Sequence, residues 1–236
     1  MSTNRPKRFY KQAAAQPSGD GWTVALDGRP VKTPARTGLI LPSETLAQII
    51  AEEWNQQGEQ LDLPSMTLTR LANVAIDRTP DSRADMIEEL GRYAETDLIC
   101  HLEDREASLR ARQDELWSPW RRWAGKTLNV VLVPIEGVIA SPQPEASLQA
   151  LKDHAGMLDD FHLTALSWAT ALYGSVVLGA AVQSGALAAL DAFHLSCLDE
   201  DFQIERWGQD EEAKAARDTR QSDAAAIGRW FEALSD

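Results

Sequence analysis

No Asp, Glu, Lys or Arg occurs between Phe161 and Leu190. A stretch of that length either crosses a bilayer or lies inside protein. Thr164, Ser167, Thr170, Gly174, Ser175, Gln183, Ser184 and Gly185 interrupt it. Hydrocarbon satisfies none of those hydroxyl and amide groups, so the run is read as a pair of packed helices inside a core, with no membrane insertion. A chain of 236 residues, 44% of them hydrophobic, buries such a core without covalent staples. The only two cysteines, Cys100 and Cys197, are far apart and read as apolar core residues in a reducing compartment.

The N-terminal part reads differently. Trp22, Val24 and Leu26 alternate with small or polar residues, and Asp27-Gly28 is a two-residue hairpin turn. Arg29 to Thr33 then return as a second strand, which Pro30 and Pro34 confine to an edge. Leu39-Ile40-Leu41 reads as a third short strand. Ser43 is an N-cap for a helix with Leu46, Ile49, Ile50 and Trp54 on one stripe, running to Gly58. Leu68, Leu71, Ala72, Ala75 and Ile76 mark a second helix. A third starts at Thr79-Pro80 and buries Ile87, Leu90 and Ala94.

Leu98 to Leu102 suits a helix end or a strand, and the charged run from Glu103 to Arg112 marks a domain boundary. Beyond it the one strand-like run is Val130 to Val133 with Ile135, and about five helices follow, broken near Gly156, Gly174, Gly185 and Gly208. The expected fold is therefore α+β: a small N-terminal α+β domain over residues 1–105, then an all-α helical bundle over 106–236.

Net charge is −13, with a pI near 4.7, which opposes binding nucleic acid through its phosphates. The charge is unevenly spread: residues 1–36 hold seven basic side chains against two acidic, a local +5, which leaves −18 for the rest. Trp117, Trp120 and Trp123, with Arg121 and Arg122 between them, could stack bases. Ser118-Pro119 instead reads as a helix start that packs the indoles into a core. The four histidines form no H-E-x-x-H pattern, and no phosphate loop or nucleophile motif occurs, so neither metal nor cofactor is expected. Glu52-Glu53 and Glu88-Glu89 are adjacent pairs and read as solvated helix faces.

Leu190, Phe193, Cys197, Glu200, Ile204 and Trp207 fall on one stripe if Leu190 to Trp207 is a single helix. Glu200 is the intruder. It either bonds to Arg206 or a backbone group at the stripe's end, or it is a charged anchor in an apolar surface that meets another protein. Two further readings stand beside a binding protein. One is an enzyme using His101, Glu103 and Arg70 in an interdomain cleft; the other is a permanent subunit, to which eight tryptophans would suit.

Five motifs together carry a resemblance: Arg8-Phe9-Tyr10-Lys11, Leu26 to Pro34, Glu52-Glu53-Trp54, Leu68-Thr69-Arg70-Leu71-Ala72-Asn73, and Asp201 to Gly208. They resemble the assembly chaperone family of the ATP synthase F(1) sector. The resemblance implies a chaperone and not an enzyme, which binds the newly made α subunit until β takes its place. It implies a monomer without cofactor, and a C-terminal bundle of orthogonal helices. It further implies partner contacts at Glu200, Asp201, Gln203, Glu205 and Trp207, and structural roles for Trp54, Gly28, Pro30, Arg70 and Asn73. Trp54 would lie against the Leu46 and Ile49 face. Eukaryotic members work in the mitochondrial matrix; a first motif at Arg8, just after Met1, points here to a bacterial cytoplasm.

Overall fold

The computed structural model describes residues 5–137 and 141–235. They form two compact units: one up to Asp81 together with the chain from Arg229 onward, the other from Ser82 to Gly228.

The first unit is built on an antiparallel sheet of β1 (Ala13–Ser18), β2 (Gly21–Leu26) and β3 (Arg29–Pro30), in that spatial order. β2 is central, and each edge strand carries a proline, Pro17 or Pro30, where a missing N–H costs no ladder bond. β1 was not expected. Its sequence, Ala-Ala-Ala-Gln-Pro-Ser, has neither alternation nor β-branched residues. Small side chains instead let α1 (Glu44–Asn55) lie close, and the Asn55 amide bonds both the N–H and the carbonyl of Ala13 at 2.8 Å. The Asp27-Gly28 turn forms with φ of +47° and +80°, the left-handed pair that a tight hairpin requires. The return strand is shorter than expected, two residues, and Leu39 to Leu41 is no strand. Leu41 makes only an isolated bridge to Trp22, with N–H···O bonds of 2.7 and 2.9 Å. Gly21 permits that approach, since a Cβ there would sit 2.6 Å from the Leu41 carbonyl oxygen.

Ser43 caps α1 by accepting from the Leu46 N–H at 3.1 Å, and the helix ends at Asn55, before Gly58. α2 (Thr67–Asp77) has no side-chain cap of its own. Glu53 supplies it from α1, accepting from Leu68 N, Thr69 N and Thr69 Oγ1 at 2.9, 2.8 and 2.6 Å. Glu53 is thus no solvated carboxylate. Burial pushes its pKa up, against the pull of those three donors. Glu52 faces water and pairs with Arg229 at 2.6 Å.

The second unit takes up α3 (Thr79–Glu95), whose Leu90 and Ala94 are buried, and α4 (Ala107–Thr127). Between them His101–Leu102 (β4) pairs in parallel with Ile135–Glu136 (β5). α4 does not begin at Ser118-Pro119; it runs through Pro119, with Glu106 as its cap. The turn lost at Pro119 is held by tertiary bonds on either side: buried Trp117 donates to Leu195 O at 3.0 Å, and Arg121 donates to Ile99 O. Arg121 is therefore enclosed rather than offered to nucleic acid. Trp120 and Trp123 are half-buried and meet edge to face at 6.3 Å.

In Val130 to Val133 burial alternates, with Val130 and Leu132 buried, yet among the described residues the run has no partner strand. Two side chains, one just before α5 (Glu145–Met157) and one in its first turn, take that place. Ser147 Oγ bonds the N–H and carbonyl of Val131, and the Gln143 amide bonds those of Val133. The charge-free run becomes α6 (Asp160–Tyr173) and α7 (Val176–Gln183), packed on each other, then the start of α8 (Ala189–Ser196). Left-handed Gly174 turns the chain between the first two. Among the described residues no helix is long and apolar enough to cross a membrane. α9 (Leu198–Trp207) and α10 (Glu211–Leu234) follow, making six helices after Pro144 among the described residues rather than about five. The extra break falls at Cys197, which is buried, as is Cys100. α10 gives Ala224 and Ile227 to the core of the second unit, and Trp230, Phe231 and Ala233 to that of the first.

Candidate functional site

The break at Cys197 dissolves the single stripe. Phe193 and Cys197 are buried while Leu190 is 41% exposed and Trp207 76% exposed, because the two helices present different faces to the core. Phe202, outside the expected stripe, is the buried anchor of α9; the guanidinium groups of Arg206 and Arg112 lie 4.3 and 5.3 Å from its ring centre.

The acidic residues of α9 face flanking helices. Asp199 accepts from the Gln113 amide at 2.8 Å, and Glu205 pairs with Arg112 of α4 at 2.8 Å. Glu200 pairs with Arg220 of α10 at 2.6 Å, not with Arg206, and Asp201 pairs with Arg217. Arg206 reaches back to Glu106 at 2.8 Å and holds that carboxyl down at about 2. Burial pushes Asp199 up, while the Arg112 guanidinium pulls Glu205 down. Asp199, Glu200 and Asp201 also stand in the first turn of α9, where the helix dipole favours them.

The acidity is thus matched by arginines and an amide within the unit, leaving Gln203, Ile204 and Trp207 to define what α9 offers outward. With Glu200, Asp210 and Ala213 they line an open groove of about 200 Å³. Its chemistry is a large aromatic plate beside a half-buried aliphatic side chain, edged by Glu200, engaged by Arg220, and by Asp210, which accepts from the Ala213 N–H at 2.8 Å. Such a surface suits protein recognition; it holds no converging acid and base for catalysis.

The residues assigned structural roles lie in the first unit. Trp54 is buried, meets Tyr10 edge to face at 5.6 Å, and accepts the Tyr10 hydroxyl on its carbonyl at 2.7 Å. Its own indole N–H is buried without a hydrogen-bond partner among the described residues. Gly28 makes the hairpin turn and Pro30 ends the edge strand. Arg70 donates to Pro64 O at 3.1 Å, and Asn73 is half-buried on α2. Phe9, Tyr10, Leu26, Pro30, Lys32 and Trp54 are among the residues that surround a hollow of about 560 Å³. Three motifs distant in sequence meet there.

Of the three residues considered for catalysis, Arg70 belongs to the first unit and His101 and Glu103 to the second. Glu103 closes a turn by accepting from Arg105 N at 2.8 Å, and those backbone donors hold its pKa down. Among the described residues no group of three or more His, Cys, Asp or Glu could hold a metal ion.

Sequence reasoning passed over Asp97. It is fully buried between α3 and α4, accepting from Ile99 N at 3.2 Å and Val177 N at 3.1 Å, so one carboxylate serves two segments. Burial pushes its pKa up to about 6 despite those donors and the Ser175 hydroxyl. A lone Asp before an apolar run carries no sequence signal for such a role.

Comparison with known proteins agrees in sequence and in fold. Residues 7–125 match the family model described as ATP12 chaperone protein. The chain is 26% identical over 219 residues to the mitochondrial protein atp12 of Schizosaccharomyces pombe, covering 88% of this chain and 75% of that one. Atp12 from Paracoccus denitrificans is 39% identical and superposes with a TM-score of 0.88, over 96% of this chain and 97% of that one. A putative chaperone from Agrobacterium tumefaciens is 35% identical with a TM-score of 0.90, over 97% of this chain and 86% of that one.

Proposed function

The chain belongs to the ATP12 chaperone protein family, and on that premise we propose that it is an assembly chaperone of the F-type ATP synthase that binds the unassembled α subunit and shields it until β replaces it. It acts in the bacterial cytoplasm, as a monomer, without nucleotide, metal or chemical step. The observation that carries the choice of surface is Trp207, 76% exposed beside Ile204 on a helix whose acids are all engaged. An aromatic plate left in water by an otherwise well-packed unit is the usual centre of a protein interface.

The physical account is mass action. A free α subunit exposes an apolar surface meant for β, and such patches self-associate when unpaired. A folded partner that covers the patch reversibly lowers the free concentration of the aggregating species. The arginine-paired carboxylates of α9 are positioned to exchange partners, so a basic group on α competes with Arg220 or Arg217 for Glu200 or Asp201. Charge then governs encounter rate and register more than total affinity.

Titration calorimetry with isolated α subunit at low salt and without ATP tests this. Trp207→Ala is expected to weaken binding at least about tenfold, and Glu200→Lys similarly, by setting a second cation against Arg220. Neither should unfold the protein, since the lost Glu200–Arg220 pair is partly exposed and contributes at most about 1 kcal/mol. No binding of α by the folded wild-type chain at any salt concentration would refute the function. Normal binding by both variants would move the interface off α9.

A further inference from the structure

The hollow in the first unit has a chemistry opposite to that of α9. Its walls are Tyr10, Trp54, Leu26 and Pro30, and Phe9 stands at its rim 75% exposed. Its charged residues are Arg29, Lys32 and Asp27. Asp27 is held in place and ionised: its two oxygens accept from Lys11 N at 3.1 and 3.0 Å and from Gln12 N at 3.0 Å, and these donors hold its pKa down, so it offsets one of the two cations. Lys32 has no ion pair among the described residues, and the acid near Arg29 is that same engaged Asp27. The walls are fixed. Arg8 lies 4.6 Å from the Tyr10 ring centre and donates to the carbonyls of Tyr10, Lys11, Asn55 and Gln57, tying the N-terminal segment to the end of α1.

A hollow with an aromatic wall, an exposed phenylalanine at its mouth and two exposed cations against the single carboxylate of Asp27, a net positive lining, fits a ligand that is apolar at its tip and anionic around it. In a chain of net charge −13 this is the region of local +5, so an acidic segment is drawn here and repelled elsewhere. We infer that this hollow is a docking site for an acidic peptide segment bearing an aromatic anchor, whose ring enters between Phe9, Tyr10 and Trp54 while flanking carboxylates meet Arg29 and Lys32. The inference does not rest on the α9 surface or on the identity of its partner.

The test uses the full chain and a fluorescein-labelled heptapeptide with one central phenylalanine flanked by aspartates and glutamates, read by fluorescence anisotropy at low salt. Controls carry alanine in place of the phenylalanine, or lysines in place of the acids. The expected result is a Kd on the order of 10–100 μM for the first peptide. Binding should weaken about tenfold for the alanine control and in Lys32→Glu or Arg29→Glu, and about fivefold in Phe9→Ala. All three substituted side chains are largely exposed, so their melting temperatures should match wild type. Trp207→Ala should bind the peptide normally, which separates this site from α9 and from any failure to bind α. No binding of the first peptide overturns the inference. So does equal binding of the alanine or lysine control, or unchanged affinity in Lys32→Glu and Arg29→Glu.

Discussion

Replacing Trp54 by alanine is expected to remove about 3–5 kcal/mol of stability, the range for deleting a buried aromatic side chain. The indole is 7% exposed and packs edge to face on Tyr10, whose hydroxyl is bonded to the same residue's carbonyl. Truncation therefore removes one wall of the hollow and loosens the segment that Arg8 and Tyr10 tie to α1. Domains are commonly stable by only about 5–15 kcal/mol, so the variant should populate unfolded chain at 37 °C. Trp54→Phe should be far milder, about 1.5 kcal/mol or less, because the indole N–H it deletes has no partner to lose. Urea unfolding of both variants measures the pair of values. Equal losses would mean that the N–H contributes as much as the ring, and a loss below about 1 kcal/mol in the alanine variant would mean that the ring is not part of the core.

What was legible in the sequence is what short-range physics encodes. Ser43 and Thr79-Pro80 mark helix starts by satisfying or sparing orphan N–H groups, and both lie where helices begin. Gly174 turns the charge-free run because the turn needs a left-handed residue. The misses share a different cause. β1 is a strand because α1 and Asn55 make it one, and along Val130 to Val133, which has no partner strand among the described residues, the side chains of Gln143 and Ser147 take that place. Helix α4 survives Pro119 through bonds from Trp117 and Arg121 to carbonyls distant in sequence. The break at Cys197 has no glycine or proline to announce it. At the candidate site, sequence spacing located the carboxylates of α9 but not Arg220, Arg217 or Arg112, which stand 12 or more residues away. Those partners change the face from an acidic patch into a compensated one with an exposed tryptophan. Packing decides these features, and packing is not local.

Asp97 is expected to make stability fall as pH rises between about 4 and 7. Its ordinary pKa is 3.8 and burial lifts it to about 6 in the folded chain. Inside that window the folded protein holds a proton that the unfolded chain has released, so raising pH favours unfolding. Below the window both states are protonated and the group contributes no penalty; above about 7 both are ionised and the penalty is complete, about 3 kcal/mol at about 1.4 kcal/mol per pH unit. The Cys100 thiol, pushed up to about 12 by burial and then by Asp97, does not titrate in this range. Several other carboxylates are shifted in both directions, so the slope of the wild type alone is a sum; the difference between wild type and Asp97→Asn isolates this residue. The asparagine variant should lose the 4-to-7 slope contribution. Asp97→Ala should be less stable than asparagine at every pH, by about 1–3 kcal/mol, because it strands both buried N–H groups, of Ile99 and Val177, while the single amide oxygen of asparagine still accepts from one of them. Denaturant unfolding at half-unit pH intervals resolves both effects. An asparagine variant that keeps the wild-type slope would assign the dependence elsewhere, and an alanine variant as stable as asparagine would show that the carboxylate does not join the start of α7 to the turn before β4.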